Sequence, residues 1–253
     1  MDKINRLAMP AEQPIYYIGT SGWTYEHWKG RFYPPELPQK KWFDHYSSQF
    51  SAVEVNATFY RTFKDQTYLN WRQGAPEGFG YVLKAPKLIT HRKFLLDVEQ
   101  DIQAFYRSCT LLGDKFKMIL LQVAPNMPID SGRLRTALSA FPDPTRAAVE
   151  FRRSDWYGQD TMRLLEELGA TLCNVDSPQH KLTDHLTSTR AYLRMHGRGH
   201  WYSYNYSNTE LEEIARLAQN LAKKGARQVY VFFNNDFEGY APANALRLKQ
   251  LLE

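Results

Sequence analysis

The sequence predicts a single α/β domain, a TIM-type (β/α)8 barrel, and three observations support this prediction. Eight apolar runs have the length and composition of buried β-strands, and most are followed by a segment with the apolar spacing of a helix. These units fill about 250 residues without a linker, which is the usual length of a closed barrel. Polar residues stand at strand carboxyl ends along the whole chain, whereas an open doubly wound sheet gathers them near one switch point.

The predicted strands are spaced so that most of them leave room for a helix before the next. They cover residues 15–18, 52–61, 81–86, 118–123, 147–152, 171–176, 191–197 and 228–236. Within the second run, residues 58–61 form an aromatic and basic loop. The connection after the sixth run is short.

The predicted helices are recognised by apolar spacing and by residues that start or stop a helix. They cover residues 40–49, 65–73, 98–112, 132–140, 160–168, a segment that opens at 209, and 243–252. Asp130 or Ser131 caps the fourth of these helices. Thr209 and Glu212 have the capping-box pattern at the start of the sixth.

The composition is that of a globular protein. The chain has 253 residues, of which 43% are hydrophobic, and its net charge of +5 is too small to indicate a nucleic-acid partner. No apolar run approaches the roughly 18 residues of a membrane span, and residues 1–14 lack the apolar core of a secretory signal. We expect a cytoplasmic protein with no membrane partner, a disordered or loosely attached tail at 1–14, and a barrel at 15–253. Cys109 and Cys173 are expected to be unpaired, buried thiols.

The second strand run carries a carboxylate and an amide among apolar residues. Because strand side chains alternate between faces, Glu54 and Asn56 are expected to point the same way, opposite to Val53 and Val55. An ionised carboxylate on the inner face of a core strand is costly unless it is paired or used. Glu54 therefore indicates a ligand or catalytic site on the inner face of this strand.

Most of the other strand runs show the same pattern, so one face per strand gives a predicted inner set. Pairing of its carboxylates with its cations would explain some of these residues, but each buried pair costs desolvation that apolar packing avoids. A ligand or catalytic site at the strand carboxyl ends explains the set better. The set is Glu54, Asn56, Lys84, Gln122, Glu150, Arg152, Asn174, Asp176, Arg194, His196, Asn234 and Asp236.

The residue types of the inner set point to an anionic ligand and to acid–base chemistry. Lys84, Arg152 and Arg194 suit a phosphate or carboxylate group, which Arg can grip through two hydrogen bonds. Glu54 and Glu150 are the predicted acid and base, with His196 as the second proton carrier and Asp176 as a further catalytic candidate. The predicted substrate-binding residues are Asn56, Lys84, Arg152, Arg194, Asn234, Asp236, Trp23 and Tyr60.

A divalent metal is possible at this site but not favoured. Glu54, Glu150, Asp176 and His196 are ligands that a hard or borderline metal accepts. Three cations among them would compete with the metal for the carboxylates. The sequence contains no cofactor motif, so the cofactor is left open.

Aromatic loops are expected to surround the predicted site. Their side chains are able to stack a base or a sugar ring, or to form a lid or a loop core, and the sequence leaves these alternatives open. The residues are Trp23, Trp28, Tyr60, Trp201 and Tyr204.

Several of these stretches resemble the domain-of-unknown-function 72 family, also called YecE-like. The resemblance runs from about Tyr17 to the carboxyl end and rests on residues 19–23, 54–61, 90–91, 150–152, 194–197 and 234–236 with 244–245. It implies a TIM-type barrel and implies no reaction. The barrel is similar to those of xylose isomerases and endonuclease IV enzymes, which is an analogy of fold that carries no activity.

Three hypotheses about function follow. The first is an enzyme that performs acid–base chemistry, most simply hydrolysis, on a small anionic or phosphorylated compound. The second is a nucleic-acid-binding or endonuclease IV-like protein, whose affinity for single strands would fall steeply with salt. The third is a sensor that holds its ligand without turnover.

Overall fold

The strands of the barrel lie close to their predicted positions. The computed structural model describes residues 13–253, so residues 1–12 of the predicted tail lie outside the described part of the chain. The strands are β1 (Ile15–Thr20), β2 (Ala52–Val55), β3 (Gly80–Lys84), β4 (Phe116–Gln122), β5 (Ala147–Glu150), β6 (Thr171–Asp176), β7 (Arg190–Met195) and β8 (Gln228–Phe233).

All strand pairings are parallel, and their order is β1-β8-β7-β6-β5-β4-β3-β2. The helices surround this nearly closed barrel, and the predicted TIM-type fold is confirmed. The helices are α1 (Trp42–Gln49), α2 (Ala57–Tyr60), α3 (Asp65–Gly74), α4 (Glu99–Thr110), α5 (Ser131–Ser139), α6 (Gln159–Leu168), α7 (Asn208–Lys223) and α8 (Tyr240–Leu252). Residues 177–189, all of them described, connect β6 to β7 without an α-helix.

Helix ends follow their local capping chemistry, with one correction to the prediction. The Asp130 side chain accepts a hydrogen bond from the Arg133 N–H and caps α5, as one of the two predicted alternatives. The capping box of α7 is formed by Ser207 and Glu210. The predicted cap at Thr209 is therefore wrong, because Ser207 starts the helix two residues earlier.

Several strands end earlier than predicted, which moves polar residues into loops. β2 ends at Val55, and Asn56 precedes the short helix α2, so the predicted loop at 58–61 is largely helical. β5 ends at Glu150 and β8 at Phe233, so Arg152, Asn234 and Asp236 lie just beyond their strands. These side chains therefore lie in the loops at the mouth of the barrel and not on its strands.

The barrel has two apolar layers. One lies between the strands and the helices, and both faces of most strands are consequently buried. The other fills the barrel interior below the mouth and consists of Tyr17, Ala52, Val82, Met118, Leu120, Ala148, Cys173, Val175, Tyr192, Tyr230 and Phe232. This inner layer packs the barrel interior below the charged strand ends.

The seam between β1 and β2 is held by side chains. The Tyr46 hydroxyl accepts a hydrogen bond from the Thr20 N–H at 2.8 Å and donates one to the Ala52 carbonyl at 2.9 Å. Gly19 faces the same carbonyl so closely that a Cβ atom there would overlap it. The tyrosine hydroxyl thus takes the place of a backbone bond between these two strands.

Two further sequence predictions concern the thiols and the membrane. Cys109 and Cys173 are free and buried, as predicted. Within residues 13–253, no helix has both the length and the apolar character needed to cross a bilayer.

Candidate functional site

Arg194 lies at the centre of a charged cluster at the carboxyl ends of the strands. It stands near the end of β7 and is completely buried. Its Nε and Nη2 atoms donate to the two carboxylate oxygens of Glu54, at 2.9 and 2.7 Å, and its Nη1 atom donates to Glu150. One guanidinium therefore bridges two carboxylates that come from β2 and β5.

Glu54 has no hydrogen-bonding capacity left for a ligand. Besides Arg194, the Ser21 hydroxyl donates to Oε1 at 2.7 Å and the Tyr192 hydroxyl donates to Oε2 at 2.6 Å. The side chain of Glu54 is 0% exposed. Its four hydrogen bonds make it an anchor for Arg194, as a buried carboxylate requires.

Glu150 is anchored in a similar way. Its Oε1 atom accepts from Gln122 Nε2 at 2.8 Å and lies 2.6 Å from Arg152 Nε. Burial alone would raise the pKa of Glu150, but Arg194 and Arg152 outweigh burial and hold it well below the ordinary glutamate value. This carboxylate stays ionised at any pH near neutrality.

His196 is the fourth member of the cluster and is also completely buried. Its Nε2 atom lies 3.3 Å from Arg194 Nη1, and its Nδ1 atom lies 3.1 Å from Asn234 Nδ2. Burial and the nearby Arg194 lower the pKa of His196 well below its ordinary value. The imidazole is therefore neutral.

Above this cluster lies a cavity of about 460 Å³, here called the central cavity. Four cations line it, and Asp236 is the one acidic residue among the described residues of its wall. Glu54 and Glu150 do not line it. The wall consists of Tyr25, Asn56, Phe59, Tyr60, Lys84, Lys87, His91, Gln122, Arg152, Arg194, Tyr202, Asn234 and Asp236.

Lys84 is the buried amine of the central cavity. It is the last residue of β3 and is 8% exposed. Its Nζ atom donates to Gln122 Oε1 at 2.9 Å and lies 4.3 Å from the centre of the Phe59 ring. Burial and the neighbouring Arg194 lower the pKa of Lys84 to about 8.

Two other groups on the wall have shifted proton affinities. Burial, together with Lys84 and Lys87, lowers the pKa of His91 to about 4, so this histidine is neutral at physiological pH. Burial raises the pKa of Asp236, whose Oδ2 atom lies 3.7 Å from His27 Nε2. Asp236 is therefore easier to protonate than an ordinary aspartate.

The structure brings most of the predicted site residues together. The buried cluster contains Glu54, Glu150, Arg194 and His196. The wall of the central cavity contains Asn56, Lys84, Gln122, Arg152, Arg194, Asn234, Asp236 and Tyr60. Sequence reasoning did not assign Tyr25, Phe59, Lys87, His91 or Tyr202 to the site, although His91 belongs to one of the motifs and Lys87 follows the third strand by three residues.

The predicted inner face of the sixth strand is wrong. Cys173 and Val175 fill the barrel interior, so Asn174 and Asp176 point out of it. Asn174 Nδ2 donates to the His185 carbonyl at 3.2 Å, and Asp176 Oδ2 accepts from Arg198 Nε at 3.0 Å. Asp176 thus lines a separate cavity near the β6–β7 connection and not the central one.

The predicted aromatic rim is divided between different environments. Trp23 lines a neighbouring cavity of about 410 Å³, which shares Tyr25, Asn56 and Tyr60 with the central cavity. Trp201 lies against Arg152, with its ring centre 4.8 Å from the guanidinium carbon. Trp28 is 0% exposed and belongs to a loop core.

Tyr204 packs within its own loop, and its hydroxyl donates to Glu210 at 2.6 Å. It is absent from the described wall of the central cavity. As for metals, no three His, Cys, Asp or Glu side chains in residues 13–253 converge as candidate ligands of an ion.

Comparisons with known proteins agree with the fold and with the motifs. The family model described as "Protein of unknown function DUF72" matches residues 17–253. The chain is 28% identical to the UPF0759 protein YunF of Bacillus subtilis, over 94% of this chain and 95% of that protein. It is 25% identical to the UPF0759 protein YecE of Escherichia coli K12, over 70% of this chain and 65% of that protein.

Two solved structures of the family have the same fold. A DUF72 family protein from Thermotoga maritima superposes with a TM-score of 0.86 at 29% identity, covering 94% of this chain and 99% of that one. A DUF72 family protein from Enterococcus faecalis gives a TM-score of 0.78 at 21% identity, covering 96% and 99%. Because the family model spans nearly all of the described barrel, the chain belongs to the DUF72 family.

Proposed function

We propose that this protein is an enzyme that binds a small anionic compound, phosphorylated or carboxylated, in the central cavity and performs acid–base chemistry on it. The observation that carries the proposal is the separation of charges at the barrel mouth. Lys84, Lys87, Arg152 and Arg194 face the cavity, while Glu54 and Glu150 lie behind them. A ligand entering the cavity therefore meets mainly positive charge.

The buried carboxylates support anion binding in a second way. They fix the Arg194 guanidinium through three hydrogen bonds and hold Arg152 at 2.6 Å. Donors that are held in place before the ligand arrives lose little entropy on binding and strengthen charge stabilisation in a reaction. Anion binding would give the buried ion pairs of Arg194 with Glu54 and with Glu150 a role that offsets part of their desolvation cost.

The same geometry changes the assignment of the acid and the base. Glu54 and Glu150 are closed off from the cavity by their hydrogen bonds, so we do not propose them as proton carriers. Lys84 and Asp236 line the cavity, and their pKa values are moved towards neutrality. We assign proton transfer to these two groups, which covers hydrolysis and other acid–base reactions.

Thermal unfolding in the presence of inorganic phosphate tests the anion site. We expect phosphate to raise the melting temperature of the wild type and to raise that of Arg152→Met by much less. Lys41→Met is the matched control, because Lys41 is exposed and pairs with Asp44 away from the cavity. An equal shift in Arg152→Met and in the wild type, or no shift in the wild type, contradicts the proposal.

Two outcomes would favour the other hypotheses. A metabolite that binds the central cavity and is recovered unchanged after long incubation points to a sensor. Binding of single-stranded DNA that falls steeply between low and moderate salt points to a nucleic-acid protein. Both measurements use the full chain and the same Arg152→Met variant, whose loss of binding locates the ligand.

A further inference from the structure

Lys84 is the one buried lysine among the described residues. Its position at the end of β3 directs its amine into the central cavity beside two guanidinium groups. No ion pair among the described residues includes it; its polar contact is the neutral oxygen of Gln122 at 2.9 Å. A buried amine that no carboxylate contacts directly lowers stability, so a lysine at this position is more easily explained by a role in the cavity.

The surroundings of Lys84 also make its amine reactive. With a pKa of about 8, about a tenth of this side chain is unprotonated at pH 7, which is far more than for an ordinary lysine. A desolvated lysine next to other cations is a known means of obtaining an amine nucleophile that attacks carbonyl groups. The cavity thus places an amine that is able to act as a nucleophile beside the proposed anion clamp.

We propose that Lys84 is a catalytic residue that forms an imine with a small oxo compound, whose carboxylate or phosphate group lies against Arg152 and Arg194. This inference rests on the proposed function and narrows its substrate class to anions that carry an aldehyde or ketone. In such compounds the anion and the carbonyl are only a few bonds apart. Lys84, Arg152 and Arg194 line one cavity, so we expect one small ligand of this kind to contact all three.

The reaction is balanced without any further reactant. The lone pair of Lys84 Nζ attacks the carbonyl carbon, a C–N bond forms as the C=O π bond opens, and one proton of the attacking amine passes to the carbonyl oxygen. The resulting carbinolamine loses this oxygen as water, and the nitrogen forms a double bond to carbon. Asp236, which lines the same cavity and has a raised pKa, is the proposed donor of the proton to the leaving oxygen.

The imine defines a class of reaction. Its protonated nitrogen withdraws electrons from the neighbouring carbon, so a C–H or C–C bond next to the former carbonyl becomes easier to break. The products are released when water adds back to the imine and restores the amine. The substrate would therefore undergo cleavage, condensation or proton exchange beside its carbonyl group.

Reductive trapping tests the imine. The protein is incubated with pyruvate or with dihydroxyacetone phosphate, reduced with sodium borohydride, and examined by intact mass and by peptide mapping. We expect one adduct per chain, located on Lys84, with at least one of the two probes. The probe that reacts tells whether the clamp accepts a carboxylate or a phosphate.

The variant Lys84→Arg removes the nucleophilic amine but keeps the positive charge at this position. This variant keeps a cation in the cavity, so it should still be stabilised by phosphate, but its adduct should fall at least tenfold. Lys41→Arg is the control for exposed lysines and should behave as the wild type. If the larger guanidinium does not fit, Lys84→Met, checked for folding by circular dichroism, tests the loss of the adduct alone, because it removes the charge together with the nucleophile.

The outcomes distinguish this inference from the function on which it rests. An adduct on Lys87 or on exposed lysines, or equal labelling of Lys84→Arg, overturns the imine. If phosphate raises the melting temperature of the wild type but no adduct forms, the imine is overturned and the anion site is retained. If phosphate does not raise the melting temperature of the wild type, both the imine and the anion site are overturned.

Discussion

The buried carboxylate of Glu54 shows what one residue contributes at the barrel mouth. Replacing it by Gln keeps its size but leaves the fully buried Arg194 with one counter-charge fewer. We expect Glu54→Gln to lower the free energy of unfolding by about 3 kcal/mol or more, because it breaks a buried ion pair. Urea unfolding measures this change.

The matched control is Glu213→Gln. Glu213 also pairs with an arginine, Arg198 at 2.9 Å, but its side chain is 49% exposed. Solvent screens such a pair, and we expect a change below about 1 kcal/mol. If Glu54→Gln is no more destabilised than this control, Glu54 is not the anchor that its hydrogen bonds indicate.

Lys84 gives the anion site a dependence on pH. Its charge is lost as the pH rises through about 8, so the affinity for sulfate should fall over this range. His91 does not contribute to the fall, because its pKa is lowered to about 4. Isothermal titration with sulfate, which does not change its own charge here, measures the effect between pH 6.5 and 9.5, a range chosen to span about 1.5 units on either side of the shifted pKa.

Lys84→Met is the test of this assignment. The variant should bind sulfate more weakly than the wild type at low pH, and its affinity should be nearly constant across the range. A fall that persists unchanged in Lys84→Met would assign the titration to another group. The sequence alone could not predict this behaviour, since the shift arises from burial and from Arg194 on another strand.

At the residue scale, the sequence predicted which side chains meet but not which of them face the ligand. Glu54, Glu150, Arg194 and His196 do converge, as the pattern of polar residues on strands indicated. Their order from cavity to core depends on partners such as Ser21, just after β1, and Tyr192, on β7, whose hydroxyl groups donate to Glu54. Contacts of this kind depend on the closed barrel and have no signature in the sequence of one strand.

At the scale of elements, the seam between β1 and β2 depends on one side chain. Tyr46→Phe removes the hydroxyl that joins the Thr20 N–H to the Ala52 carbonyl. We expect a loss of about 1–3 kcal/mol in the free energy of unfolding, the cost of leaving buried polar groups unpaired. Amide exchange at Thr20 should also become faster.

Tyr240→Phe is the control for this change. Its hydroxyl makes a long, exposed contact of 3.5 Å with Glu238, so its removal should change the stability very little. Equal stabilities of Tyr46→Phe and Tyr240→Phe would mean that backbone packing alone holds the seam.

Elements with a strong periodic signal were predicted well, and errors arose where the signal was missing or where two signals competed. The sixth strand matches its predicted range, but every residue of β6 is buried, so the usual difference between an inner and an outer face is missing. Asn174 and Asp176 were assigned to the wrong face for this reason. At α7, both Ser207 and Thr209 precede an acidic residue by three positions, and only the folded chain selects Ser207.

At the scale of the whole molecule, the mouth of the barrel should make the protein sensitive to acid. The pKa of Glu150 is lowered in the folded state from an ordinary value of 4.5, so its contribution is present above that pH and is lost as the pH falls below it. Unfolding in urea between about pH 3 and pH 7, on either side of this ordinary value, should show wild-type stability falling below about pH 4.5.

Glu150→Gln should be less stable than the wild type at pH 7 and should lose less stability on acidification. Parallel curves for the two proteins would mean that other carboxylates determine the acid sensitivity. Circular dichroism at each pH confirms that both proteins start from the folded state.

The seam between β1 and β2 also bears on the order in which the strands follow one another along the chain. Backbone pairing runs without interruption from β2 through β8 to β1, so the covalent link from β1 to β2 spans the one junction that Tyr46 bridges. A circular permutant that opens the chain between Pro35 and Glu36 and joins the original ends by a flexible linker would follow the barrel strand by strand. We expect it to fold and to keep phosphate binding, because every backbone strand pairing survives the change. In the order of backbone pairing β1 is thus the last strand of the barrel, although it is the first strand along the chain.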